Sequence, residues 1–180
     1  MKTVQPIRDL EKITEMKEVL MNQHYRNYFL FVLGINTGLR ISDLLTLRVG
    51  DVRDRSHIII NEQKTGKLKR FKINSELQHH ISDFTISKDV AEYLFKSRRG
   101  NDRIHRVQAW KILNMAAGEV GLNEIGTHTL RKTFGYHFYQ KYKDVAVLQQ
   151  IFNHSSPAVT MRYIGINQDI MDEAVDGFSL

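Results

Sequence analysis

Residues 25–36 constrain this chain more than any other stretch. They carry Tyr28, Phe29, Leu30, Phe31, Val32, Leu33 and Ile35 in close succession, and Thr37-Gly38 follows. A helix that is apolar on so many sides has to be buried, and the glycine behind it is a C-cap signal. Its apolar run, residues 28–34, is far too short to cross a bilayer. The rest of the chain must therefore supply helices that cover it.

Those helices are legible in the apolar spacing. Leu10, Ile13, Met16, Val19 and Leu20 recur at helical intervals within residues 9–20. Further helices are expected over 40–47, from a Ser75 cap to about 83, and over 107–117 with a stop at Gly118. Another runs from His128, behind a Thr127 cap, to about 142, and one follows Asp144 to about 152. Ser156-Pro157 opens a short one, with serine as N-cap and proline in the first turn. Only residues 57–60 and 68–73 read as strands, and Lys64-Thr65-Gly66-Lys67 between them makes a hairpin. The expected class is mainly α with a small antiparallel β-sheet (α+β).

With 180 residues, two prolines and no Ser/Gly-rich stretch, residues 1–180 read as a single domain. Residues 164–180 form an amphipathic C-terminal tail, with Ile166, Ile170, Met171, Ala174, Val175 and Phe178 on one side. The absence of cysteine excludes disulfides and thiolate metal sites and fits a cytoplasmic setting. Residues 1–6 have no apolar core of a signal peptide. The histidines show no compact metal-binding spacing, and His79-His80 point to different sides of a helix, so no metal is expected.

Charge is unevenly spread. Residues 48–72 hold eight Lys/Arg against three acids, and residues 96–111 hold six against one. Residues 164–180 hold four acids and no Lys/Arg. Two basic segments in a chain of net charge +6 point to an anionic partner, nucleic acid first. The phosphate contacts are expected from Lys67, Lys69, Arg70 and Lys72 on the hairpin and from Arg98, Arg99, Arg103 and Arg106.

Three groupings carry possible chemistry. In Thr37-Gly38-Leu39-Arg40-Ile41-Ser42-Asp43, Arg40 follows a tight turn and shares a helix face with Asp43, an arrangement suited to gripping phosphate or to a plain salt bridge. In His128-Thr129-Leu130-Arg131, a His and an Arg sit three apart beside the apolar stripe Leu130, Phe134 and Phe138. Gly135, four beyond Arg131, leaves room there for another backbone or for DNA. In the stretch from His154 to Tyr163, a tyrosine follows a histidine by nine residues.

Taken in chain order, Arg40, Lys64, His128, Arg131, His154 and Tyr163 resemble the set of the tyrosine recombinase (phage integrase) family, with Asp43 as the acidic companion of the first arginine. The resemblance covers nearly the whole chain. It departs at Asn153, where the family has glycine, but asparagine is the residue that best replaces glycine in a left-handed turn. It also departs in front of Arg40, where the helical core-binding domain is absent. The resemblance implies the family's catalytic-domain fold and cleavage of double-stranded DNA by Tyr163 through a covalent 3′-phosphotyrosyl link. Arg40, Arg131, His128 and His154 would hold the phosphate, His128 would also help to activate the phenol, Lys64 would be the general acid, Asp43 would orient Arg40 or a histidine, and cations would lower the Tyr163 pKa. It further implies no cofactor, and a homotetramer on DNA linked by the tail. A DNA-binding relative without cleavage and a type IB topoisomerase-like nick-and-seal enzyme are the alternatives.

Overall fold

The computed structural model describes residues 4–176 and 178; residues 1–3, 177, 179 and 180, including the end of the expected tail, lie outside this description. The mainly α class with one small sheet is what it shows. α1 (Leu10–Gln23) starts behind Asp9, whose side chain accepts the Glu11 N–H. α2 (Tyr25–Thr37) ends at Gly38 in the left-handed region, φ 64°. It is the central element: Phe29, Leu30, Phe31, Val32 and Leu33 are fully buried, and it packs on α1, α4 (Ser75–Thr85) and α6 (Thr129–Tyr142). Gly34 sits where α2 meets α6, with Leu130 in the space a side chain would need.

α3 (Ile41–Leu44) is a single turn, shorter than the expected helix over 40–47, and Arg40 is its extended N-cap residue. β1 (His57–Asn61) and β2 (Leu68–Lys72) pair antiparallel, with Ile58 opposite Phe71 on the buried face. α5 (Arg106–Glu119) runs through Gly118 instead of stopping there. Two expected caps move by one residue. Asn74, not Ser75, caps α4 by accepting the Leu77 N–H, and His128, not Thr127, is the N-cap position of α6. A shift of one residue is the ordinary margin in reading helix ends from sequence; Asn74 is a cap of the same kind as Ser75, whereas His128 makes no side-chain capping bond. Residues 86–104, unassigned in the sequence, cross the core on two isolated bridges, Arg48–Tyr93 and Lys96–Arg103, with Leu94, Phe95 and Ile104 buried.

α7 (Val145–Phe152), α8 (Pro157–Ile164) and α9 (Ile166–Asp176) follow α6 and close a second, smaller core of Leu148, Phe152, Ile164 and Ile166. Phe134, Phe138 and Tyr163 pack on it. Gly135 is needed here. A Cβ on it would come within 2.6 Å of Ile164 and 2.8 Å of Phe152, so the open stripe on α6 admits α7 and α8 side chains, not DNA. Gly135→Ala is expected to destabilise the domain by about 1–3 kcal/mol through overpacking; chemical denaturation measures it, and an unchanged midpoint would refute this packing.

Candidate active site

Five segments converge on one spot. The first is the turn after α2. Gly38 is left-handed and lies against the Phe134 ring, so the chain leaves α2 sharply and delivers Arg40 at the mouth of the hairpin. Arg40 Nη1 donates to Glu62 Oε1 at 2.5 Å, and the Glu62 side chain is wholly buried. Asp43, also buried, accepts the Gln63 N–H at 3.1 Å through Oδ1, while its Oδ2 has no partner among the described residues. Asp43 and Arg40 thus both reach the hairpin; the expected intrahelical pair is replaced by two parallel ties to it. Burial pushes the Asp43 carboxyl above the usual carboxylate range, against the pull of the Gln63 hydrogen bond and Arg40.

Arg131 comes from the first turn of α6 and is 2% exposed. Its Nη1 donates to Gly38 O at 2.6 Å and its Nη2 to Phe152 O at 3.0 Å, and the guanidinium lies 4.3 Å over the Phe152 ring. It therefore satisfies a carbonyl at the end of α7 that the helix cannot and joins that end to the turn behind α2. Burial lowers its pKa to about 10, far above neutrality, so it stays charged.

His154 is placed by Asn153, which adopts φ 55° and ψ 46° as the C-cap of α7. The asparagine keeps the left-handed turn that the family builds on glycine. His154 Nδ1 lies 3.0 Å from Thr160 Oγ1, and its ring meets the Tyr163 ring edge-on at 5.1 Å. Burial, then Arg131, Arg40 and Lys64, depress its pKa to about 4. This places the exposed hairpin-tip Lys64 within electrostatic reach of the site.

Tyr163 sits on α8 with its hydroxyl 3.4 Å from His128 Nδ1. Its ring lies against Phe152 at 5.6 Å, and Lys132 stands 5.2 Å from its centroid. Burial raises the phenol pKa; Arg131 and Arg40 pull it down, and a hydrogen bond from Arg131 adds to that pull. The expectation that cations lower the phenol overall is thus corrected: desolvation outweighs them. His128 is driven below the usual imidazole range by burial and then by Arg106, Lys132, Arg131 and Arg40. It is neutral at pH 7, able to take a proton from a phenol that is not ionised.

The expected phosphate contacts divide. Arg106, on the first turn of α5, acts on His128 and so borders the site. Arg70 and Lys72 are exposed on β2, and Arg99 is exposed. Lys69 donates to Gln150 O at 2.8 Å and Lys67 to Asn153 Oδ1 at 3.3 Å, which pins the hairpin to the end of α7. Arg98 acts on His24 and Arg26 at the start of α2, and Arg103 lies over Tyr93. Sequence reading missed Glu62, Thr160 and Lys132: an acid in a hairpin, a threonine in a helix and a lysine beside an arginine are each ordinary in sequence, and only burial and distance single them out.

Residues 7–169 match the model of the phage integrase family. A probable integrase/recombinase, YoeC of Bacillus subtilis, is 56% identical over 94% of this chain and 93% of its own length. The crystal structure of XerA recombinase superposes with a TM-score of 0.76 at 22% identity, over 96% of this chain and 62% of that one. A post-cleavage complex of the XerH site-specific recombinase with its palindromic difH substrate gives 0.72 at 19% identity, over 97% and 54%. The chain thus spans nearly all of the Bacillus relative but little more than half of the two solved recombinases, whose likeness is one of fold.

Proposed function

The chain belongs to the phage integrase family of tyrosine recombinases, and from that we propose that it recombines double-stranded DNA site-specifically through a covalent 3′-phosphotyrosyl link to Tyr163. One observation carries the reading: the Tyr163 hydroxyl faces a neutral His128 while Arg40 and Arg131 both act on it. In the proposed step Tyr163 Oη attacks the scissile phosphorus and its proton passes to His128 Nδ1. The bond from phosphorus to the 5′-oxygen breaks, and Lys64 protonates that oxygen. Arg40 and Arg131 neutralise the charge growing on the non-bridging oxygens. For His154 Nε2–H to donate to the phosphate, its Nδ1 accepts a hydrogen bond from the Thr160 hydroxyl at 3.0 Å, a shorter contact than that hydroxyl's 3.3 Å to Ser156 O. Asp43 orients the hairpin under Lys64 through Gln63. The phosphotyrosine keeps the energy of the broken bond for rejoining, so no cofactor is required.

The remaining assignments belong to the same reading. Residues 1–180 act as one catalytic domain in the cytoplasm. Arg70, Lys72, Arg98, Arg99, Arg103 and Arg106 contact the DNA backbone, and Lys67 and Lys69 join them on exchanging α7 for phosphate. The tail docks on a neighbouring protomer and links a tetramer on DNA. Its support is α9, held at its start by Arg8 to Asp169 at 2.9 Å while Ile170, Met171 and Val175 stand exposed.

Duplex DNA nicked beside the scissile phosphate, so that the short leaving strand diffuses away, tests the reading. Wild type is expected to accumulate as a protein–DNA adduct that survives denaturant. Binding without an adduct on any recombination-site DNA would favour the cleavage-free relative, and supercoil relaxation without strand exchange the topoisomerase-like enzyme. The same substrate gives a pH test. The second-order cleavage rate reports groups of the free protein, and a base must be neutral to act. Because the His128 pKa is depressed, the rate is expected to hold as pH falls to 6.5 and to drop only below it. A half-loss at or above pH 6.5 would remove His128 as the base.

A further inference from the structure

We propose that Glu62 is a positioning residue for cleavage, holding Arg40 ready for the scissile phosphate and tying it to the hairpin that carries Lys64. The inference rests on the covalent mechanism above. The Glu62 carboxylate is wholly buried and both of its oxygens are engaged. Oε1 accepts Arg40 Nη1 at 2.5 Å, and Oε2 accepts the Thr65 hydroxyl at 2.7 Å. Its backbone closes the hairpin neck: its N–H donates to Lys67 O at 3.0 Å, and its carbonyl accepts Gly66 N–H at 2.8 Å and Thr65 N–H at 3.3 Å. One residue therefore fixes the turn around Lys64 and, 22 positions away in sequence, the first arginine of the site.

Arginine is a long side chain that loses much rotamer freedom when it grips a phosphate. Fixing it beforehand removes that loss from the reaction. Through Nη1 alone, Glu62 aligns the guanidinium; among the described residues no acceptor takes Nε or Nη2, which remain for the phosphate. The same carboxylate acts on Arg131 and Lys69 in the sense opposite to Arg40, so it also offsets repulsion among three clustered cations. A negative charge at this place weakens the attraction of phosphate. Its contribution is therefore to rate and not to affinity, and the two can be told apart.

Single-turnover cleavage of the nicked duplex is measured for wild type and Glu62→Gln, with an ordinary scissile phosphate and with a methylphosphonate, which lacks the charge that Arg40 meets. On the ordinary phosphate Glu62→Gln is expected to cleave about 10- to 100-fold more slowly, the scale of a misplaced catalytic group, with DNA affinity equal or tighter. On the methylphosphonate the difference should shrink. An unchanged rate, an equal difference on both substrates, or a loss of affinity matching the loss of rate would overturn the proposal. Thermal melting identifies a variant that fails to fold. In that event Thr65→Val, on the exposed turn, carries the test: it removes the Oε2 partner and should show the same pattern, more weakly. A wild type that forms no adduct refutes the mechanism itself, whereas an active wild type with an equally fast Glu62→Gln refutes only the role of Glu62.

Discussion

Tyr163→Phe is expected to form no protein–DNA adduct on nicked duplex, with DNA binding retained. The substitution removes one oxygen. The ring keeps its edge-on contacts with Phe152 at 5.6 Å and His154 at 5.1 Å, so the second core is preserved. What disappears is the hydroxyl 3.4 Å from His128, on which the Arg131 and Arg40 charges act. Losing such a partner alters stability by about 1 kcal/mol, a small change against complete loss of attachment. Gel separation in denaturant reads the adduct, and melting confirms the fold. An adduct that persists in Tyr163→Phe would assign the nucleophile to another of the seven tyrosines.

Arg131→Lys is expected to fail in two ways at once. The buried guanidinium serves Gly38 O and Phe152 O together while lying over the Phe152 ring. One ammonium cannot span that geometry. A carbonyl left unpaired at this depth costs about 1–3 kcal/mol, which lowers Tm by roughly 2–12 °C for a chain of this size. Loss of a fork on the developing charge reduces cleavage by about 10²-fold or more. Arg40→Lys separates the two effects. Its side chain retains some exposure and has a single tie, to Glu62, so its rate should fall on the same scale with little change in Tm. Equal melting losses for the two variants, or a full cleavage rate in either, would contradict the division of labour between a structural and a reaching arginine.

The candidate site was legible where function is written in short-range spacing. Gly38 before Arg40, His128 three before Arg131 and His154 nine before Tyr163 each lie on one turn or one helix pair, and local periodicity places them. The buried α2, the hairpin and the Asp144 and Ser156 caps were legible for the same reason. What the sequence hid depends on contacts between distant segments. Glu62 reads as a loop acid until the fold closes it over Arg40. The tie from Lys69 to the Gln150 carbonyl joins the hairpin to α7, which nothing local in the sequence announces. Gly135 reads as room for another backbone or for DNA, and only the fold shows that Ile164 and Phe152 fill it. The sign of the Tyr163 shift was hidden likewise: charges can be counted in a sequence, but desolvation is known only from the packed core. The same holds for residues 86–104, ordered by two single-residue bridges that leave no periodic trace.

Mapping the covalent adduct identifies the nucleophile by its position in the chain. No Lys or Arg follows Arg162, so trypsin releases residues 163–180 as one peptide in which Tyr163 is the only tyrosine. After trapping on nicked duplex and digestion of the DNA, mass spectrometry should find the residual phosphonucleotide on that peptide. A nucleotide on a peptide carrying any other tyrosine, or an adduct-free protein on DNA that it binds and that a relative cleaves, would contradict the account.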